Sequence, residues 1–301
     1  MGKNARTFGQ DLMRGEYVVG GGGGDVTATK PKPGGLTWTG KAAQFDGYRV
    51  QNGERSETAT SGTSIFDPVL CEIAYRWFCP PGGTILDPFA GGSVRGIVAS
   101  KLERQYVGIE LRAEQVEANR VQADAICGDP MPVWHCGDSR DIARHATGIE
   151  ADFVFSCPPY GDLEIYSDDP ADLSAVPYDE FRSAYNHIIA ETVALLKPDR
   201  FAAFVVGDFR DKKGFYRGFP WHTVEAFENA GAQLYNEAVL VTAIGSLPIR
   251  AGKQFSASRK LGKTHQNMLV FCKGDPRKAV EACGVVDVDE SMFDKELADN
   301  G

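Results

Sequence analysis

The stretch Thr84-Ile85-Leu86-Asp87-Pro88-Phe89-Ala90-Gly91-Gly92-Ser93 decides how this chain is read. A short apolar run ends in an acid, and a turn with two adjacent glycines follows. From Val94 to Leu102 apolar residues recur at helical spacing. The pattern predicts a strand, a glycine turn and a helix. Glycines there let the backbone come close to a bound group, and a helix N-terminus favours polar or anionic atoms. A tight turn with no ligand has the same local pattern. No Walker lysine follows, and the spacing is not Gly-x-Gly-x-x-Gly, so neither a phosphate cradle nor a dinucleotide loop is indicated.

Outward from this point, strands and helices alternate. Strands are predicted at 84–87, 106–110, 133–136, 153–156, 201–206, 234–241 and 267–272. Helices are predicted at 67–78, 94–102, 113–125, 178–196 and 221–230. Alternation at this spacing implies an α/β fold with a doubly wound, mostly parallel sheet. No helix is predicted between the last two strands, which fits an antiparallel last strand. Residues 1–60 read as a flexible arm, with five glycines at Gly20–Gly24 and Lys30-Pro31-Lys32-Pro33. The main domain is expected over 61–278 and an acidic tail over 279–301.

Two further strand ends carry acids. Glu110 closes Tyr106-Val107-Gly108-Ile109-Glu110, where it could accept hydrogen bonds from ribose hydroxyls, with Leu111 beside it. Asp138 and Ser139 follow the third strand, at the edge where an adenine amino group could be met. Each acid alone is equally a helix cap. Together with the glycine turn they outline a nucleoside pocket. The fourth strand ends in Ser156-Cys157-Pro158-Pro159-Tyr160. Prolines belong at strand ends, stiffen the backbone and leave carbonyls facing outward. A base turned out of its helix could stack on Tyr160. A rigid loop with a packed tyrosine is the structural alternative.

The elements Asp87-Pro88-Phe89-Ala90-Gly91-Gly92-Ser93, Val107–Leu111, Gly137-Asp138-Ser139 and Ser156–Tyr160 occur in this order. Over about residues 64–275 the chain resembles the DNA amino-methyltransferases that modify adenine or cytosine, with phage-type methylases closest. The resemblance implies a Rossmann-like seven-stranded methyltransferase fold with S-adenosylmethionine as cofactor. It also implies double-stranded DNA as partner, with the target base flipped, and catalysis without a metal. It implies that Phe66 and Asp67 touch the methionine part of the cofactor. Asp87, Pro88, Phe89, Ala90, Gly91 and Gly92 would line its amino acid and sugar, Glu110 the ribose and Asp138 the adenine. Tyr160 would stack on the target, and Ser156, Cys157, Pro158 and Pro159 would hold its amino group. Two positions depart from the family pattern. Ser93 replaces a glycine. Cys157 stands where Asp, Asn or Ser usually accepts a hydrogen bond, and a thiol is a weak acceptor. Ser156 is an alternative acceptor. Cys157 also admits a carbon-5 pyrimidine chemistry through a covalent thiolate adduct, although in such enzymes the cysteine follows the proline. An RNA methyltransferase and a non-catalytic nucleic-acid-binding module of the same fold are further readings.

With 41 acids against 32 lysines and arginines, the net charge of −9 argues against a general nucleic-acid coat. A local basic stretch nevertheless runs through Arg250, Lys253, Arg259, Lys260, Lys263 and Lys273, with Phe255 and His265 among them and no acid between Ala238 and Gly274. It is predicted as a connection whose cations reach phosphates and whose Phe255 wedges or stacks. An ordinary solvated hairpin loop is its alternative. Arg210, Lys212, Lys213 and Arg217 form a second, mixed-charge loop. Residues 162–180 hold seven acids and no base, and read as a lid or a solvated loop. The seven cysteines contain no Cys-x-x-Cys pair and suggest reduced thiols rather than disulfides or zinc. No apolar run of about 18 residues suggests a membrane span, and no signal peptide is evident. A cytoplasmic location, in a bacterial or phage-infected cell, is expected. Neither the choice between adenine and cytosine nor the oligomeric state follows from these residues.

Overall fold

A computed structural model describes residues 66–161, 167, 169–241 and 247–286. It also gives the backbone of a small antiparallel pair, Arg49–Gln51 with Glu54–Ser56. Side chains of 247–250 fall outside the described set. The rest of the expected N-terminal arm lies outside it too, as do residues 287–301.

Seven strands form one sheet: β1 Thr84–Asp87, β2 Gln105–Glu110, β3 Val133–Cys136, β4 Ala151–Ser156, β5 Leu196–Val206, β6 Gln233–Val241 and β7 His265–Lys273. Their spatial order is β3-β2-β1-β4-β5-β7-β6. All neighbours pair in parallel except β7, which runs antiparallel to both β5 and β6. The expected antiparallel last strand is therefore present. The order reverses between β1 and β4, and a crevice opens outside the carboxyl ends of strands at such a switch point. The glycine turn and the Pro-Pro-Tyr element flank that crevice.

Helices cover both faces. One face carries α1 Pro68–Phe78, α2 Val94–Lys101, α3 Ala113–Ile126 and α8 Pro276–Cys283. The other carries α4 Ile142–His145, α5 Tyr178–Leu195 and α6 Phe219–Asn229. Each helix turns its apolar stripe to the sheet, giving two cores. Ile85, Phe153, Phe155 and Trp134 centre the first, and Phe181, Tyr185, Phe204 and Phe227 the second. Strands buried on both faces read as continuous apolar runs, as β4 and the end of β5 do. Pro220 sits in the first turn of α6, where a missing N–H costs nothing. Among the described residues, no helix is long and apolar enough to cross a membrane.

Three expectations are corrected. The connection between β6 and β7 is not a simple hairpin loop, because it contains the helix α7 Leu247–Ser258. Pro248, Gly252 and two serines give that stretch a weak local helix signal. β5 begins at Leu196, immediately after α5, and carries an irregularity opposite Ala151–Phe153 that absorbs extra residues. The chain does not become a tail at 279. Asp275 caps α8 by accepting from the Arg277 N–H at 2.8 Å, and Ala279 and Cys283 are buried in the first core. Ala279 is 0% exposed, so Ala279→Asp should cost about 3 kcal/mol in chemical denaturation. A tail residue would tolerate the change.

Candidate active site

The glycine turn is built around a buried carboxylate. Asp87 ends β1 at 0% exposure, and both of its oxygens are engaged by the protein itself. Oδ1 accepts from the Phe89 N–H at 3.1 Å and the Ser156 hydroxyl at 2.5 Å. Oδ2 accepts from Arg95 Nε at 2.5 Å and the Tyr106 hydroxyl at 2.8 Å. Arg95 also donates to the carbonyls of Phe89 and Ala90, at 2.7 and 2.9 Å. Burial alone would favour the neutral guanidine, but Asp87 more than offsets it and raises the Arg95 pKa. One buried ion pair thus fixes the turn's path. Asp87 is the anchor beneath the expected cofactor loop, not a surface of it.

The turn presses against β2. Ala90 N–H donates to the Ile109 carbonyl at 2.9 Å. A Cβ built on Gly108 would lie 2.8 Å from the Ala90 Cβ, so only glycine admits this approach. Gly91 has φ +50°, donates to Glu110 Oε2 at 2.9 Å, and receives Asn119 Nδ2 on its carbonyl at 2.7 Å. Ser93, the expected departure, has φ −73° and needs no glycine. Its hydroxyl donates to Gln122.

The acids come together at one sheet edge, each with a protein partner. Glu110 Oε1 also accepts from the Arg112 N–H at 3.0 Å. Burial pushes its pKa up, opposed by these N–H bonds and by Arg112. Leu111 follows it, its carbonyl 3.6 Å from the Cys136 thiol. Asp138 caps the 3-10 turn Ser139–Asp141, accepting from the Arg140 N–H at 2.9 Å, and it is forked by the Arg140 guanidinium at 2.6 and 2.7 Å. An adenine amino group there would have to share Asp138 with Arg140. The Ser139 hydroxyl donates to the Pro88 carbonyl, tying the third strand end to the turn. Phe89 points inward, its ring 6.0 Å from that of Tyr185. Phe66 stands edge-on to Phe155 at 5.6 Å, with the Arg95 guanidinium 4.6 Å from its ring centre. Asp67 is exposed and caps α1, accepting from Val69 and Leu70 N–H.

The Pro-Pro-Tyr element leaves β4 beside β1. Ser156 is fully buried, and its hydroxyl is committed to Asp87 and the Phe89 N–H (3.2 Å), so it does not reach outward in place of Cys157. Pro158 is buried, and Cys157 and Pro159 are half-buried. The Cys157 thiol lies 4.0 Å from the Tyr160 hydroxyl. Tyr160 packs its ring against Phe219 at 5.9 Å and Phe209 at 6.2 Å, and its hydroxyl accepts from Gln266 Nε2 at 2.5 Å.

The basic stretch divides. Lys253 and Phe255 project from α7 into solvent, with the Arg259 guanidinium 5.0 Å from the Phe255 ring centre. The Arg250 side chain lies outside the described residues. Lys263 turns inward, donating to the Asp208 carbonyl at 3.4 Å, and burial lowers its pKa. Lys260 reaches the loop after β5, where a Cβ on Gly214 would lie 2.8 Å from its Nζ. Lys273 is not part of the patch. It donates to the Val193 and Leu196 carbonyls at the opposite sheet edge. In the acidic segment, Asp172 is buried and caps the turn Leu173–Ala175, so this part is built in rather than solvated. Residues 162–166 and 168 lie outside the described set.

Sequence reasoning missed Arg95, Tyr106, Asn119 and Gln266. Arg95 had a signal, a cation in the first turn of a helix that stays apolar from Gly96 to Ala99. Gln266 had none.

Residues 66–121 match the family model described as DNA methylase. The type II methyltransferase M.Cfr9I of Citrobacter freundii is 48% identical over 68 residues, 22% of this chain and 21% of that protein. The type II methyltransferase M.SmaI of Serratia marcescens is 37% identical over 51 residues, 17% of this chain and 18% of that protein. The chain spans about a fifth of the length of the curated relatives it matches. Among solved structures, TrmN from Thermus thermophilus aligns with a TM-score of 0.47 at 18% identity, over 69% of this chain and 49% of that one.

The residues fit S-adenosylmethionine. A Cβ built on Gly91 or Gly92 meets nothing within 4 Å, so the turn has an open face. Glu110 retains lone pairs beside that face. Breaking the anchor tests the arrangement. Arg95→Met leaves Asp87 buried without its cation and should cost about 3–5 kcal/mol in denaturant unfolding.

Proposed function

We propose, from a chain whose residues 66–121 carry the DNA methylase signature, that this protein methylates the exocyclic amino group of adenine or cytosine in duplex DNA, with S-adenosylmethionine as donor. One observation carries the reading. The Pro-Pro-Tyr element and the open glycine turn leave neighbouring strands, β4 and β1, joined by the Ser156–Asp87 hydrogen bond. A reacting amino group held by one element faces a donor held by the other.

When bound, S-adenosylmethionine supplies a methyl on a sulfonium, open to attack by a nitrogen lone pair. The chain's own residues do the positioning. Glu110 accepts from the ribose hydroxyls. Pro158 and Pro159 have no N–H, so this strand end offers carbonyls to an amino group, a stronger acceptor set than the Cys157 thiol. These carbonyls accept hydrogen bonds from the amino group and oppose the positive charge that grows on nitrogen during attack, and the surplus proton of the methylated amino group then passes to water. Gln266 and Phe219 hold the Tyr160 ring in place as a stacking platform for a base turned out of the helix. Alignment of nitrogen, carbon and sulfur is the main source of rate.

Transfer of tritiated methyl from labelled S-adenosylmethionine to DNA, RNA or neither tests the proposal. DNA from a methylation-free host should be labelled. Labelling of RNA alone, or of neither polymer by protein that still binds cofactor, sinks it. Cys157→Ser should keep activity. Its complete loss, with a trappable wild-type protein–DNA adduct, would favour carbon-5 chemistry instead. Only ionised Glu110 can accept from both ribose hydroxyls. Its folded pKa lies above the ordinary 4.5. Cofactor affinity should therefore be full above that raised value and fall as pH drops through it, earlier than an ordinary carboxylate would allow. Glu110→Gln should flatten this profile in calorimetric titration and weaken binding about tenfold, the loss of one charge-assisted hydrogen bond.

A further inference from the structure

Between β5 and α6 the chain forms a short, rigid finger beside Tyr160. Arg210 and Tyr216 pair as an antiparallel bridge. Asp211 closes the turn: its N–H donates to the Phe215 carbonyl at 2.8 Å, and its carboxylate accepts the Phe215 N–H at 2.9 Å. Arg210 donates to the Gly214 carbonyl at 2.8 Å and lies 3.8 Å from the Tyr216 ring centre. The base of the finger is locked to the site. Arg217 N–H donates to the Phe209 carbonyl at 2.9 Å, and the Phe209 ring packs on Tyr160. Asp208 accepts from the N–H groups of Phe209, Gly218 and Phe219, so it also fixes the start of α6.

At the tip, Phe215 is 71% exposed. A phenyl ring held out in water on so braced a turn contributes nothing to the core. Lys212 and Lys213 flank it in solvent, Arg210 stands in one arm and Lys260 is brought in from beyond α7, while the Arg217 guanidinium turns inward to the Tyr178 ring, 4.4 Å from its centre. The finger's two acids, Asp208 and Asp211, are engaged by backbone N–H groups. In a chain of net charge −9, this is an apolar tip in a cationic collar. Phosphates on either side of a base stack complement that collar, and an aromatic side chain can enter between base steps.

We propose that Phe215 is a wedge: it enters the stack of duplex DNA and fills the gap left when the target base turns toward Tyr160. This rests on the DNA-methylating reading above. The wedge stabilises the opened pair, so it acts on the rate of transfer more than on attachment to DNA, which the cations supply. Phe215 is thus a positioning residue that touches the nucleic acid but not the reacting atoms.

The full chain with Phe215→Ala is compared with wild type and Phe215→Trp. Single-turnover transfer is measured on a synthetic duplex carrying the site mapped from modified genomic DNA. At saturating duplex, Phe215→Ala should slow transfer about tenfold, the loss of one stacking contact. Duplex Kd should move less than about threefold and the melting temperature should not move, because the ring is exposed. Phe215→Trp should restore the rate. On a duplex lacking the base opposite the target, Phe215→Ala should match wild type, since no pair has to open. Equal rates for wild type and Phe215→Ala on the paired duplex overturn the wedge and leave the methylation reading standing. So does a Phe215→Ala defect that persists without the opposite base. If wild type labels RNA and no DNA, the underlying reading fails, and the wedge fails with it.

Discussion

A single buried carboxylate organises the functional edge of this protein. Asp87 lies under the glycine turn with four partners drawn from four parts of the chain: the turn itself, α2, β2 and β4. An ionised carboxylate out of water is tolerable only when its lone pairs are filled and a cation stands against it. Arg95 provides the cation and then uses its remaining donors on the Phe89 and Ala90 carbonyls. The electrostatic requirement of one buried charge therefore becomes a geometric constraint on the turn. The same constraint reaches β4 through Ser156, so the two halves of the crevice are positioned by one group.

The sheet topology supplies the rest. Parallel strands place all their carboxyl ends on one side, so Asp87, Glu110, Asp138 and Cys157 meet there although they are scattered through the sequence. The antiparallel β7 adds a residue that no parallel strand could. Its beginning lies opposite the end of β5, Asn267 against Val206, and this delivers Gln266 to the Tyr160 hydroxyl. The Tyr160 ring is held from three elements, by Phe219, Phe209 and Gln266. The projection between β5 and α6 grows from the same corner, its base tied to the Tyr160 ring through Phe209.

Much of this was legible in the sequence. Apolar periodicity located all seven strands and most helices, because burial of one stripe or of a whole strand is a local requirement written at fixed spacing. The glycine turn, Glu110, Asp138 and Pro158-Pro159-Tyr160 were recognisable because each sits at a strand end, where side-chain chemistry is not dictated by packing. Three helices escaped. α4 is a single turn, Ile142–His145, too short for a helical period to show. α7 carries a proline and a glycine and few apolar residues, so its pattern is weak. α8 had a readable start in Asp275-Pro276, but its charged exposed face resembles a tail.

What sequence alone determined was the inventory: an α/β sheet, a close-approach turn, acids at three strand ends and a proline-stiffened tyrosine. Tertiary structure decided how those groups are used. It turned Asp87 and Ser156 inward into a shared anchor, set Arg140 on Asp138, sent Lys263 and Lys273 to backbone carbonyls, and brought Lys260 to the projection that bears Phe215. The reason is physical. Periodicity reports which residues leave water, a property of each segment by itself. The partner of a buried charge or donor is set by strand order, register and direction, which exist only after distant segments have packed.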